Sequence, residues 1–120
     1  MSVALERVSI RGQAGTLECV VEDPGTPASS YAVVCHPHPL FGGTMDNKVV
    51  TTVARALHEL EVPTLRFNFR GVGASNGEFD HGVGETGDAD TVASWGAERE
   101  AASAGAARSG PLFSRTARRT

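Results

Sequence analysis

Several features that mark particular protein classes are missing from this sequence of 120 residues. No apolar run approaches the ~18 residues that cross a bilayer, and the apolar N-terminal stretch contains Glu6 and Arg7, unlike a signal peptide. Two cysteines are too few for a disulfide framework, and Cys19 and Cys35 are interpreted as small buried apolar residues. The net charge of -3 offers no basic surface to nucleic acid or to an anionic membrane. We therefore expect a cytoplasmic protein without nucleic-acid or membrane partners.

Alternating apolar residues predict a β-hairpin at the start of the chain. Residues 5–11 and 16–22 each alternate between apolar and polar, and a glycine-containing turn at 12–15 joins them. The continuous apolar run at 31–35 is typical of a strand buried on both faces, as in a parallel sheet. Residues 64–69 are predicted to form the next strand.

A helix is predicted between these two strands, with Asp46 as its N-cap. Its apolar residues recur at helical spacing and predict one apolar face: Val49, Val50, Val53, Ala54, Leu57 and Leu60. The order strand, helix, strand implies a parallel pair. Two polar residues interrupt the second strand: we expect Asn68 to face a crevice near its carboxyl end, whereas Arg66 has no explanation at this level.

A second helix is predicted to start near Glu85, with Thr86 as its cap and with acidic residues complementing its dipole. Beyond residue 96 the composition changes to mostly Ala, Arg, Ser and Gly. Residues 1–96 carry 6 basic and 12 acidic side chains, a charge of -6, whereas residues 97–120 carry 5 basic and 2 acidic ones, a charge of +3. The chain thus divides into a domain at 1–96 and a partly helical or disordered tail at 97–120.

The segment Gly73-Ala74-Ser75-Asn76-Gly77 matches G-x-S-x-G, the turn that presents the nucleophile of many serine hydrolases. That turn works only where a strand leads directly into a sharp bend and a helix starts at once. Here the predicted strand ends six positions before Ser75, and the residues after Gly77 begin no helix. We therefore interpret Ser75 as a loop residue rather than a nucleophile.

Two further site classes fit the sequence poorly. A dinucleotide-binding turn at residues 71–76 would need a helix starting within the motif, and none is predicted before about residue 84. His36, His38 and His81 raise the question of a metal, but no second half-site with zinc-ligand spacing is present. Neither a metal nor a cofactor is expected.

The loop His36-Pro37-His38-Pro39-Leu40-Phe41-Gly42-Gly43 is the more informative segment. It follows the carboxyl end of a predicted parallel strand, where ligands bind in open α/β sheets. Its prolines have no amide hydrogen, so an anion would be met by the amides of residues 40–43. A rigid connecting turn would explain the prolines, but it explains the Gly-Gly pair less easily.

The motifs HPHPLFGGTMDNKVV and RFNFRGVGASNGEFDHGVGE, each after a predicted strand, resemble the N-terminal half of the α/β-hydrolase superfamily. The similarity covers about residues 3–96 and is greatest to short bacterial serine hydrolases. It implies an α/β fold of an antiparallel hairpin followed by parallel strands with crossover helices. It also implies that the serine-containing motif is a loop signature, and that Leu40 or Phe41 supplies an oxyanion amide.

In this family the nucleophile, the acid and the histidine come later in the chain, and the residues from 96 to 120 do not resemble that continuation. We therefore expect a truncated or frame-shifted fragment, without a catalytic residue of its own, from an enzyme that hydrolyses small ester-like substrates. A noncatalytic module that associates through an open strand edge, with itself or a partner, is the alternative. A complete small enzyme using Ser75 is the third hypothesis.

Overall fold

The computed structural model describes residues 4–25, 30–39 and 42–104. Its strands are β1 (Ala4–Gly12), β2 (Gly15–Asp23), β3 (Ala32–Val34) and β4 (Thr64–Phe67), and its helices are α1 (Lys48–Glu59) and α2 (Val83–Ala104). The strands form one sheet in the order β1-β2-β4-β3. In this part of the chain, neither helix combines the length and the apolarity that a membrane span requires.

The predicted hairpin is confirmed, and its strands are longer than the alternation indicated. β1 and β2 pair antiparallel over nine residues each, so that Gln13 and Ala14 alone form the turn. Leu17 and Cys19 face the core on one side of the sheet. Burial raises the pKa of the Cys19 thiol to about 12, as expected for a packing residue.

The predicted parallel pair is also confirmed, since β3 runs parallel to β4 with Ala32 opposite Thr64. The expectation of a strand buried on both faces over 31–35 is wrong in part. β3 has only three residues, all half-buried, and Cys35 after it is exposed. The reason is its position, because β3 is the end strand of the described sheet.

Helix α1 differs from its prediction at the cap and on its apolar face. Asn47 is the N-cap, and its Oδ1 accepts a hydrogen bond from the Val49 amide at 2.9 Å. Asp46 instead pairs with Arg66. Of the six apolar positions only two are buried, Val50 and Ala54, while three are exposed, Val49, Val53 and Leu60.

Helix α2 begins at Val83, before the predicted cap. The Thr86 hydroxyl donates to Gly82 O within the first turn, so Thr86 is not the N-cap. The carboxylate of Glu85 accepts from the amides of Asp80 and Gly82, at 2.8 and 2.9 Å. Burial alone would raise the pKa of Glu85, but these backbone donors lower it below its ordinary value of 4.5.

The sheet separates two packed layers. On one face, Leu65 and Phe67 of β4 pack in the same cluster as Val92 and Ala97 of α2. By alternation along β4, Arg66 points to the opposite face, on the side of α1. Helix α2 continues without a break through residue 96 to residue 104, and the predicted tail beyond that point lies outside the described residues.

Candidate active site

The serine of the G-x-S-x-G match lies in the middle of the loop at 70–77, between β4 and α2. Ser75 is 7% exposed. Its Oγ donates to Asn68 O at 2.7 Å and accepts from the Glu18 amide at 2.8 Å. Backbone groups therefore use both hydrogen-bonding functions of this hydroxyl, and no strand-to-helix elbow presents it.

The rest of this loop is hydrogen-bonded to the hairpin. Asn76 Oδ1 accepts hydrogen bonds from both the backbone amide and the hydroxyl of Thr16, each at 2.8 Å. The backbone amide of Asn76 donates to Thr16 O at 2.9 Å. Gly73 has a φ of 54°, and a side chain there would lie 2.5 Å from Asn68 Nδ2. The loop glycines thus permit close packing, and no dinucleotide-binding helix starts within the motif.

Arg70 anchors the start of the same loop to α2. Its Nη2 lies 2.8 Å from Asp88 Oδ1, and its amide donates to Asp88 Oδ2 at 3.0 Å. Asp88 is 1% exposed, so this is a buried ion pair with extra hydrogen bonds. The acidic residues near Glu85 are predicted to complement the helix dipole, but Asp88, which is one of them, pairs with Arg70 instead.

The two polar residues of the β4 segment hold the backbone of Met45. The Met45 amide donates to Asn68 Oδ1 at 2.8 Å, and Arg66 Nη1 donates to Met45 O at 2.9 Å. Arg66 also forms ion pairs with Glu22 and Asp46. This arrangement explains Arg66. Asn68 is 4% exposed and joins the Met45 backbone to Glu18 of β2, so it does not line an open crevice.

His36 begins the loop at 36–43 and ties it to the end of β4. Its Nε2 accepts from the Phe69 amide at 3.1 Å, so its proton is on Nδ1, which donates to Pro37 O at 2.7 Å. Burial lowers the pKa of His36 below its ordinary value of 6.5, against a smaller opposing effect of the bond to Pro37. His36 is therefore a neutral connector between the carboxyl ends of the two parallel strands.

The glycine pair closes this loop on itself. The Gly42 amide donates to Pro39 O and the Gly43 amide to His38 O, both at 3.2 Å. A side chain on Gly43 would lie 1.9 Å from Pro37 O, which no real contact allows. The expectation that these two amides are available to an anion is therefore wrong. Leu40 and Phe41, the predicted oxyanion donors, lie outside the described residues.

A cavity of about 420 Å³ opens between the loop at 36–43 and the segment at 79–85. We call it the ring cavity, because its lining includes the rings of His36, His38, Phe69, Phe79 and His81. It lies at the carboxyl ends of β3 and β4, where α/β sheets bind ligands. In the described part of the chain, no group of three His, Cys, Asp or Glu side chains could hold a metal.

The fold recurs in solved structures. An α/β serine hydrolase homologue from Coxiella burnetii is 49% identical, with a TM-score of 0.76, over 80% of this chain and 47% of its own. The chain has the N-terminal part of the α/β-hydrolase fold. A putative α/β hydrolase of unknown function from Agrobacterium tumefaciens is 40% identical over 79% of this chain and 44% of its own, with a TM-score of 0.76.

Two further similar proteins match over a similar part of the chain. A serine hydrolase without a lid from Xanthomonas campestris is 42% identical, with a TM-score of 0.73, over 83% of this chain and 47% of its own. An uncharacterized protein of Rickettsia prowazekii is 41% identical over 91 residues, 76% of this chain and 38% of the relative. No family model matches. The chain thus spans less than half the length of these relatives, and the described sheet corresponds to the first part of the α/β-hydrolase sheet.

Proposed function

We propose that this chain provides the oxyanion side of a serine-type α/β-hydrolase that acts on carboxylic esters or similar acyl compounds. We further propose that the chain by itself does not turn over such substrates. The observation that carries the proposal is the contrast between Ser75, whose hydroxyl is committed to the backbone, and the loop at 36–43, which borders an open cavity at the strand ends. The identities of 40–49% to α/β-hydrolase structures support the reaction class.

Acyl hydrolysis needs an activated nucleophile and amides aimed at the developing oxyanion. Pro37 and Pro39 have no amide hydrogen, and the amides of Gly42 and Gly43 donate within the loop. The amides of Leu40 and Phe41 are the remaining candidates in the second half of the loop, and we propose one of them as an oxyanion donor. The proposed substrate is a small ester-like molecule, and no cofactor enters this chemistry.

An ester assay on the purified chain tests the absence of turnover. We expect nitrophenyl acetate to hydrolyse at the buffer rate with the parent chain and with Ser75→Ala. Ser9→Ala serves as the control, because Ser9 is exposed on β1. Turnover by the parent and by Ser9→Ala that disappears in Ser75→Ala would revive Ser75 as a nucleophile.

A chimera tests the hydrolase part of the proposal. Residues 4–96 replace the matching part of the Coxiella burnetii homologue, which is assayed beside the chimera. We expect the chimera to hydrolyse the esters that the homologue hydrolyses, since the oxyanion side is supplied by this chain. A chimera that folds, by circular dichroism and cooperative melting, yet is inactive where the homologue is active would contradict the proposal.

One observation favours a second candidate function, association through the sheet edge. Ala32 donates its amide to Pro63 O at 2.9 Å, so the backbone groups of Val33 point to the side of β3 that has no strand among the described residues. On α1, the exposed Val49, Val53 and Leu60 add an uncovered apolar stripe. Self-association would use this edge.

Sedimentation over a concentration series tests this candidate. We expect the parent chain to form larger species with rising concentration, and Val33→Pro to shift it toward monomer because Pro removes an edge donor. Val83→Lys, at an exposed apolar site away from the edge, is the control. A parent chain that is monomeric at every concentration would exclude the edge as a contact between copies.

The free thiols of Cys19 and Cys35 support a proposed cytoplasmic location.

A further inference from the structure

The ring cavity has two walls made of rings. At its base, the imidazole of His36 meets the Phe69 ring edge-on, with centroids 4.8 Å apart and planes at 72°. At its rim, Phe79 lies between two imidazoles, with centroids 5.1 Å from His38 and 4.9 Å from His81. Each wall combines a histidine of the loop at 36–43 with rings from the chain that follows β4, so the space between the walls is bounded by ring faces and edges.

The rim wall is set by the backbone. His81 has a φ of 52°, a left-handed conformation that costs free energy for a residue with a side chain. Its hydrogen-bonded surroundings hold it there, because Glu85 fixes the amides on both sides, those of Asp80 and Gly82. The His81 ring is thereby kept against Phe79.

The lining of the cavity offers no free charge at its base. Glu85 also lines the cavity, but each of its carboxylate oxygens accepts a backbone hydrogen bond, at 2.8 and 2.9 Å. His36 is held neutral by the bond from the Phe69 amide. An anionic ligand would lose its hydration here and face the carboxylate of Glu85, whereas an uncharged aromatic ring would gain edge and face contacts.

We propose that the ring cavity binds the aryl group of a neutral aromatic ester or a related aryl compound. The inference rests on the proposed function, since it assigns the substrate class of that same site. The volume of about 420 Å³ falls in the range of small-molecule pockets. The aromatic walls contact the ring of the ligand, and the exposed imidazole of His81 at the rim can hydrogen-bond to an ester carbonyl.

A pair of matched ketones tests the aryl assignment on the intact chain, without any need for turnover. Acetophenone and cyclohexyl methyl ketone carry the same polar group, and only the first has an aromatic ring. In NMR titrations of the isotope-labelled chain, we expect acetophenone to bind about two- to tenfold more tightly than the saturated ketone. The shifted amides should be those of Phe69, Gly82 and Glu85, which line the cavity.

Two variants remove rings from the rim wall. Phe79→Leu should weaken acetophenone binding about two- to tenfold and leave the saturated ketone nearly unchanged. His81→Gly should act in the same direction, and glycine suits the positive φ, so this variant keeps the fold if Phe79→Leu does not. Val83→Ala is the control, an exposed apolar residue that is not part of the lining.

Equal binding of the two ketones, shifts at other residues, or no binding at all would overturn the aryl assignment. The two proposals fail separately. An active chimera that hydrolyses aliphatic esters and rejects aryl esters would overturn the aryl assignment and leave the hydrolase proposal intact. If the chimera folds but is inactive, and the chain still binds acetophenone in the ring cavity, the hydrolase proposal fails and the aryl assignment stands.

Discussion

The loop at 70–77 and the loop at 36–43 both follow one of the two parallel strands, and both contain glycine pairs or repeats. In the first, Ser75, Asn76 and Arg70 are bonded to the hairpin, to β4 and to α2. In the second, His36 binds the Phe69 amide, the amides of Gly42 and Gly43 donate within the loop, and the Met45 backbone beyond it binds Asn68 and Arg66. The first residues of this loop also line the ring cavity.

This difference indicates which of the two loops can contact a substrate. A side chain whose donors and acceptors are all satisfied inside the fold has nothing to offer a substrate, and removing it costs stability. A loop that is fixed by hydrogen bonds and also lines a cavity is held in place and keeps surface for a ligand. The local sequence motif points to the loop at 70–77, whereas the tertiary contacts favour the loop at 36–43 as the one that can contact a ligand.

The largest effect is expected where the serine loop is anchored to α2. Asp88→Ala leaves the Arg70 guanidinium buried without its partner, and we expect a loss of about 3–5 kcal/mol in the free energy of unfolding. Urea denaturation measures the loss. Asp90→Ala, at an exposed acid on the same helix, should change stability by less than about 0.5 kcal/mol. Equal losses in the two variants would mean that the buried pair does not hold the loop.

The side chain of Asn68 joins the Met45 backbone to Glu18, whose carboxylate also accepts from the Ala74 amide in the serine loop, so its removal should affect both loops. Asn68→Ala takes the acceptor from the Met45 amide and the Nδ2 donor from Glu18, and we expect a loss of about 3 kcal/mol. Hydrogen exchange of the Met45 amide should accelerate beyond the change in global stability. Asn76→Ala is the matched variant, because in it the exchange rate of the Met45 amide should change only as much as global stability does. Unchanged local protection of Met45 in Asn68→Ala would contradict this role.

Ser75→Ala tests the structural role of the serine directly. The variant leaves Asn68 O and the Glu18 amide without their partner, and we expect a loss of about 1–2 kcal/mol, because Glu18 is half-buried and water reaches it. Thermal melting and urea titration measure it against Ser9→Ala, which should be close to neutral. A Ser75→Ala chain as stable as the parent would remove the contrast between the two loops.

The smallest effect concerns His36 and appears as a pH dependence. Its folded pKa lies below 6.5, so the unfolded chain binds more protons below that pH, and stability falls as the pH drops through the folded pKa. Glu85 adds its own loss only below pH 4.5. His36→Gln should lose about 0.5–1.5 kcal/mol at neutral pH and show a flatter dependence of stability on pH as the pH falls below 6.5.

The control for this profile is His81→Gln, at an exposed histidine, which should keep the slope of the parent. Unfolding free energies at several pH values provide the comparison. If His36→Gln keeps the pH dependence of the unfolding free energy while His81→Gln flattens it, the assignment of His36 as a neutral connector is wrong.

Elements with a strong local pattern were predictable. The hairpin, the parallel pair and α1 follow from alternation and helical spacing, because these signals act over a few neighbouring residues. The helix caps were not predictable. Asn47 rather than Asp46 accepts from the Val49 amide, because Asp46 pairs with Arg66 of β4. Adjacent polar residues are equivalent locally, and only the distant partner selects between them.

By itself, the sequence determined the order of the strands and helices along the chain, the resemblance to the N-terminal half of α/β-hydrolases, and the mismatch between Ser75 and a nucleophile turn. The tertiary structure alone decided that Arg66 and Asn68 hold Met45, that Asp88 neutralises Arg70, and that β3 ends the described sheet. The physical reason is distance along the chain. Periodicity records contacts between near neighbours, whereas these bonds join residues 18 to 23 positions apart, and their partners are fixed only when the sheet has formed.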